Sequence, residues 1–434
     1  MFANYILNKF QHIFNPLYRR SFFLQKIDWL IGLCIFGIIF VSLFAQSDSI
    51  GYFAIFTILL TALKLVTKPK EKFAMSAGDK FLLIYFIFVL ISLAGSSLFI
   101  LSLKGFFKTL TYIGFYISFI HYLKDNRYML KYIILAIALS AFGESFVAIH
   151  QNFLSVSEIS GWQDMSRLNP EEVMTRVYGT LKPYNPNLFG GYMLSVLPAT
   201  LLTVFLPLKN KHYKTAIFGL ICFIITTLAI ILTGCRGAYI GLFTELVLLG
   251  FFTYRMLKPV YKRIFKLFTF IISTVAFFFI VILPPLRARV VSIFAFRGDS
   301  SNSFRFNVYH SCINMFKDNW LLGIGCGNQN FREIYGLYMK TGFDALSAYN
   351  IYLEIAVESG IFALLAFLGF LYSNIKKAVC YILRRTDIKS LYLIIALVSL
   401  SGILIHGFVD TVFFRPQIQF VFWIMIGIIR ILVL

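Results

Sequence analysis

The chain has 434 residues, 59% hydrophobic and only 14% charged, and its 40 Lys and Arg against 19 Asp and Glu give a formal net charge of +21. Soluble domains are nearer half apolar and a quarter charged, so a chain this long cannot present a water-facing polar surface all round. That excludes a single soluble domain, a disordered chain and a nucleic-acid module, and leaves an all-α polytopic integral membrane protein.

A helix that crosses the hydrocarbon core needs about 20 apolar residues. By that ruler, spans are predicted near 28–46, 50–67, 79–95, 100–121, 129–150 and 187–207. Six more follow near 213–232, 237–256, 263–283, 348–373, 389–408 and 417–434, about twelve in all. The pair 79–95 and 100–121 is joined by a tight turn between Gly95 and Leu103. No internal repeat or low-complexity tract interrupts the pattern, so 1–434 reads as a single membrane domain. Lys9, Arg19, Arg20 and Lys26 precede the first span, with no signal peptide evident.

The basic residues recur in short clusters between spans. With the N-terminus in the cytoplasm, Lys68/Lys70/Lys72, Lys124/Arg127, Lys209/Lys211/Lys214, Arg255/Lys258/Lys262/Arg263 and Lys376/Lys377/Arg384/Arg385 all fall on the cytoplasmic side. The alternate loops around Asp48, Ser96 and Gly234 are poor in charge, as the positive-inside bias requires. Both termini are therefore expected in the cytoplasm, and two long polar segments, 151–186 and 284–347, outside. The second is expected to hold a short helix from about Ser303 to Phe316, capped by Asn302 or Ser303, with Phe306, Tyr309, Ile313 and Phe316 on one face. The six cysteines show no metal-binding or disulfide spacing.

Arg236 stands in TGCRGAYIGL (Thr233 to Leu242), at the mouth of a span. An arginine at membrane depth is costly and points to function unless it snorkels to the interface. Its planar fork suits phosphate or carboxylate. The segment 284–347 carries Arg287, Arg289, Arg297, Arg305, Lys317, Arg332 and Lys340, a cationic cluster on the side where the positive-inside bias asks for none. It would suit a lipid pyrophosphate or a small anion, against the plainer reading of lipid contact. Arg305 is expected in the first turn of the loop helix, where free backbone N–H groups also favour anions. GIGCGN (Gly323 to Asn328) resembles a phosphate cradle, but no strand precedes it and no GK[ST] follows, so a tight turn is the better reading.

Intramembrane acids are Glu144, Glu245, Glu354, Glu358 and Asp410. Glu354 and Glu358 are four apart and share a helix face. They either hold a proton, bind cationic or sugar groups, or pair with buried polar partners. His406 and Asp410, also four apart, form either a proton pair or, the favoured reading, a buried hydrogen bond.

GTLKPYNPNLFGGYML (Gly179 to Leu194), TGCRGAYIGL, FRFNVYHSCINMFKDNWLLGIGCGNQNF (Phe304 to Phe331) and SAYNIYLEIAVESGI (Ser347 to Ile361) occur in this order. In these pieces the chain resembles the O-antigen ligase and polymerase (Wzy_C, WaaL-like) superfamily of bacterial envelope proteins, over a region of approximately 176–373. RVYGTLKPYNPNL, ALSAYN and DTVFFRPQ (Asp410 to Gln417) make it most similar to the IctB-type bicarbonate (inorganic carbon) transporter branch. The resemblance implies a GT-C-like glycosyltransferase of the bacterial inner membrane. It moves a polyprenyl pyrophosphate-linked oligosaccharide to an acceptor at the outer face, without metal or cofactor. Arg236 and Arg305 are similar in position to the family's two pyrophosphate-binding arginines, whose charge stabilises the leaving group. Asn187, Glu354, Glu358, Asp410 and Arg415 are the supporting positions. The family's general-base histidine precedes an Asn, nine residues and a Gly. Here Tyr349 stands in its place, followed by Asn350, 351–359 and Gly360. Tyrosine, with a pKa near 10, is a poor base at neutral pH. Three readings stay open: a ligase or polymerase using another base, a small-anion transporter, and a binding protein that kept the pocket.

Overall fold

The computed structural model describes residues 2–69, 71–72, 75–154 and 174–433. Residues 155–173, most of the first predicted outside segment, lie outside the described residues, as do Lys70 and the side chain of Arg297. The described chain is helical with no strand. An amphipathic α1 (Phe2–Arg20) and a single turn α2 (Phe22–Gln25) lead into α3 (Ile27–Val41), α4 (Ser47–Thr67), α5 (Ala77–Ala94), α6 (Phe99–Asp125) and α7 (Met129–Phe153). Next come α8 (Pro186–Val196), a 3₁₀ turn at Leu197–Leu201 that accommodates Pro198, and α9 (Leu202–Lys209). Then follow α10 (Tyr213–Leu232), α11 (Arg236–Met256) and α12 (Pro259–Ile282). The long segment folds as α13 (Pro284–Ile293), α14 (Ser300–Asp318) and α15 (Asn328–Tyr335), before α16 (Ile351–Arg384), α17 (Ile388–His406) and α18 (Pro416–Val433).

Ten of these elements are long and apolar enough to cross a membrane, which makes this an integral membrane protein. Each of the twelve predicted spans coincides with helix. The two outside the ten are α3, at 15 residues, and α6, which carries Lys104 and Lys108 within its first half. The centre is built from α17 and α18, apolar all round and buried along most of their length, the sequence signature of a core helix. Small residues allow the closest approaches: a Cβ at Gly427 would meet the Phe119 ring. In contrast, α12 buries no residue and lies at the periphery against α11 and α13.

The bundle has two chemically different ends. At one, where α4 and α6 stop and α5 begins, Lys64 is buried between Asp28 (2.6 Å) and Asp125 (2.9 Å). Lys68 joins Asp125 (2.5 Å) and Glu71 (3.2 Å), Lys124 joins Glu71 (3.2 Å), and Arg430 joins Asp79 (2.9 Å). At the other end α10, α11, α16, α17 and α18 meet the segment 284–347.

That segment is more helical than expected, and its main helix is differently set. α14 starts at Ser300, and its cap is Asp299, whose Oδ1 accepts from Asn302 N at 2.9 Å. Arg305 therefore lies in the second turn, not the first. The buried face is Asn307, Val308, Ser311, Cys312 and Met315 rather than the predicted aromatic stripe, and Ile313 is 43% exposed. The reason is tertiary: Val308, Cys312 and Met315 close a small separate core with Phe331, Tyr335, Ala348 and Val357.

Candidate anion-binding site

Gly234, at φ 59, turns the chain between α10 and α11 so that Arg236 is the first residue of α11. The stretch 174–184 is laid against this turn by backbone and buried side chains. Val177 N donates to Leu232 O (3.3 Å), and Gln151 Oε1 accepts from Tyr178 N (3.1 Å) and Gly179 N (3.0 Å). Glu144 accepts from Thr180 N (2.9 Å) and from its hydroxyl, which gives this intramembrane acid a structural role. The result is a buried Arg176 whose Nε donates to Thr233 O (2.8 Å) and whose Nη2 donates to Asn187 Oδ1 (2.6 Å).

Arg236 pairs with Asp299 at 2.7 Å. Burial alone would raise the Asp299 carboxyl. The Arg236 contact and the Asn302 N–H outweigh that and hold it below the usual carboxylate range. Arg289, from α13, joins the same group, and its Nη2 is buried without a hydrogen-bond partner among the described residues. Burial, then the Arg236 charge, pushes Arg289 down, and burial with the charges of Arg289 and Arg236 brings Arg176 down to about 10. From Arg176 the polar chain continues. Asn187 Nδ2 donates to Asp410 Oδ2 (3.0 Å), and Arg305 Nη2 reaches the same oxygen at 3.5 Å. Asp410 Oδ1 accepts from Thr411 N (2.8 Å).

Among the described residues Arg236 and Arg305, the two arginines that the resemblance implies for pyrophosphate, do not share a partner. Each holds its own acid, Asp299 and Asp410, with Arg176 and Asn187 between them. Like charges this close raise one another's cost unless carboxylates intervene. The structure does join Arg305, Asn187 and Asp410 by contacts, with Arg236 nearby on Asp299. It adds Arg176, which sequence reasoning missed although RVYG was in view, and singles Arg289 out of the cationic cluster.

Tyr349 adopts φ 50, uncommon for a non-glycine residue. This turn lays its ring 5.9 Å from the Arg305 guanidinium and edge-on to Phe304 at 5.7 Å, while its carbonyl accepts from Tyr309 OH (3.1 Å). Burial raises the Tyr349 phenol above its ordinary value, with Asp410 adding to the shift. It is thus further from acting as a base at neutral pH. Asn350 caps α16, accepting from Tyr352 N (3.0 Å) and Leu353 N (2.9 Å), and its Nδ2 donates to Phe408 O (3.0 Å). Nine helical residues later Gly360, at φ 79 and ψ 175, breaks α16. Its N-terminal piece is thereby freed to pair with the Gly-rich run: Ile324 N donates to Val357 O and Gly325 N to Glu358 O, both at 3.0 Å. The spacing Asn–nine residues–Gly is thus one short helix with its cap and its break.

Glu354 and Glu358 turn into the protein and accept from Ala348 N and Gly327 N, each at 3.0 Å. GIGCGN is a close-packed turn rather than a phosphate cradle. The N–H groups of Gly323, Ile324, Gly325 and Gly327 are already taken, and a Cβ on Gly105 would lie 2.4 Å from Cys326 O. His406 does not join Asp410 by a side-chain hydrogen bond. Its Nε2 lies 3.6 Å from Cys235 Sγ, while Asp410 N donates to the His406 carbonyl (3.1 Å). Asp410 is drawn instead to the arginines. Glu354, Glu358 and Arg415 line a different opening, a cavity of about 450 Å³ beside the arginine network. Among the described residues no group of three His, Cys, Asp or Glu side chains is placed to hold a metal ion.

Residues 221–368 match the Wzy_C family, described as O-antigen ligase. The matched stretch contains Arg236, Arg289, Asp299, Arg305, Tyr349 and Gly360, and it stops short of Asp410 and Arg415. The match makes this stretch similar to O-antigen ligases and supports a ligase- or polymerase-like membrane function. No curated protein matches the chain.

Proposed function

We propose that the protein is a metal-independent membrane glycosyltransferase that takes a polyprenyl pyrophosphate-linked oligosaccharide at the outer face of the inner membrane and ligates or polymerises the glycan. The observation that carries this reading is the charge surplus among the described residues: Arg176, Arg236, Arg289 and Arg305 stand against Asp299 and Asp410, and Arg289 Nη2 is buried without a partner there. A pyrophosphate would supply the missing negative charge, and its departure as a leaving group would be stabilised by guanidiniums already in place. In this reading Arg236 gives up Asp299 to the donor. Tyr349 positions Arg305, and Asn350 and Gly360 set the short helix that carries them. Asp410, held between Arg305 and Asn187, is the carboxylate offered to the acceptor hydroxyl in place of an imidazole. The domain organisation that goes with it is one membrane domain, with 151–186 and 284–347 outside and both termini in the cytoplasm.

A second reading, small-anion or bicarbonate transport, draws on the branch resemblance. A transporter site sits near the bilayer midplane along a path, whereas the arginines gather at one end of the bundle, which favours the transferase. Deletion followed by envelope lipid extraction separates the two. Accumulated polyprenyl-linked oligosaccharide supports transfer. Unchanged glycolipids with altered uptake of labelled bicarbonate support transport.

A further inference from the structure

The cavity of about 450 Å³ lies between α4, α6, α16 and α18, and the transfer chemistry proposed above makes no use of it. Lys104 and Lys108 line it from α6. Four residues apart, they share a helix face, and they sit about one and a half and two and a half turns in from Phe99. Both are exposed, and among the described residues neither ammonium forms an ion pair or a hydrogen bond, although Lys108 lies within electrostatic range of Glu358. Lys64, at the opposite end, touches two carboxylates. Lysines at such depth must face a partner or a wet cavity. Arg415, also exposed, enters the same space from the link before α18.

The facing wall is of opposite character. Glu354 and Glu358 line it, each already accepting one backbone N–H and each retaining acceptor capacity. A bare inorganic anion would use the cationic wall and leave the carboxyl wall unused. An acyl chain would use neither. A sugar that carries a phosphate fits both, with its phosphate oxygens accepting from the lysines and Arg415 and its hydroxyls donating to the carboxylates. The cavity also adjoins the arginine network through a single thin link. Ser347 Oγ and Thr411 Oγ1, both in its lining, are 2.5 Å apart, and the neighbouring residue, Asp410, holds Arg305.

We infer that this cavity binds the phosphate-bearing sugar head of a glycolipid, gripped by Lys104, Lys108 and Arg415 on one side and Glu354 and Glu358 on the other. The assignment of that ligand as the acceptor rests on the transferase reading; the binding itself does not. The test uses the full chain in phosphatidylcholine nanodiscs, with dodecyl glucoside 6-phosphate as the probe. Dodecyl glucoside, phosphatidylglycerol and inorganic phosphate serve as comparison ligands, and a polyprenyl pyrophosphate probes the arginine network separately. Saturable binding of the phosphoglycoside is expected, well above that of the neutral glucoside. Lys104→Gln with Lys108→Gln should weaken it about tenfold or more, the size of one or two charge-assisted contacts, and Lys104→Arg with Lys108→Arg should retain it. Arg236→Lys should leave it unchanged. Equal binding to wild type and the glutamine double variant would overturn the site. So would competition by phosphatidylglycerol or inorganic phosphate at the probe's own concentration, the first indicating a general lipid surface and the second a free-anion site. Phosphoglycoside binding that behaves as expected in a protein that ignores polyprenyl pyrophosphate would uphold the cavity while removing the transferase reading.

Discussion

The two ends of the bundle handle buried charge in opposite ways. At the basic end Lys64, Lys68, Lys124 and Arg430 are matched by Asp28, Glu71, Asp125 and Asp79. At the other end, among the described residues, Arg176, Arg236, Arg289 and Arg305 share only Asp299 and Asp410. A matched buried charge is explained by the fold, since losing either partner strands the other. A surplus of buried guanidinium is not explained by the fold, and it is the kind of perturbed cluster that marks a binding site. The same residue chemistry therefore predicts opposite mutational signatures at the two ends.

The largest effect is expected at the surplus end. Arg236→Ala and Arg289→Ala should each lower glycan transfer by on the order of 1.5–3 kcal/mol, roughly ten- to a hundredfold. Lysine at position 236 should not restore it, because an ammonium lacks the bidentate fork. Unfolding of Arg289→Ala in detergent should be unchanged or slightly later, since a like charge has been removed. The double variant should lose less than the sum if both residues hold one leaving group. At the matched end, Lys64→Met should do the reverse. It strands Asp28 and leaves Asp125 to Lys68 alone, and because both acids are about a quarter exposed the loss should be ~2–3 kcal/mol, the lower part of the range for a broken buried pair. Denaturant unfolding would show it, with transfer per folded molecule intact. A fall in specific activity there would blur the distinction between the ends.

Smaller effects sharpen it. Gly360→Ala adds a side chain at φ 79 facing the Leu321 carbonyl, so ~2 kcal/mol of destabilisation is expected from the left-handed backbone and the clash together. Glu245 is fully buried on α11 with neither carboxyl oxygen hydrogen-bonded. Glu245→Leu should raise thermal stability by ~1 kcal/mol, and a marked loss of transfer would show that this acid has a function. The smallest change is expected for Tyr349→Phe, within ~0.5 kcal/mol in transfer, because the ring and not the hydroxyl faces Arg305. A pH profile that loses its acidic limb in this variant would instead make the phenol a base.

Much of this architecture was legible in the sequence because hydrocarbon imposes a length on each helix. All twelve apolar runs coincide with helix, and Asn187, Asp410 and Arg305 are joined by contacts, with Arg236 nearby on Asp299. What was not legible depends on how segments fold back. Arg176 carries no local signal; its place is fixed by Val177 pairing with Leu232, a contact across 55 positions that composition does not reveal. The Asp299–Arg236 pair exists because α13 and α14 return over the mouth of α11. The aromatic stripe of α14 does not mark its buried face, because Val308, Cys312 and Met315 fill the small core that the segment closes. The Asn350-to-Gly360 spacing was visible as a motif, but its cause, a capped helix with a glycine break, needed the backbone.

The most direct test of the surplus-charge site is binding of a polyprenyl pyrophosphate to the purified protein by native mass spectrometry, with the matching polyprenyl monophosphate as reference. The arginine network predicts preference for the pyrophosphate, loss of that preference in Arg236→Ala and Arg289→Ala, and its retention in Lys64→Met. Equal binding of both lipids, or a preference that survives both arginine substitutions, would contradict the site.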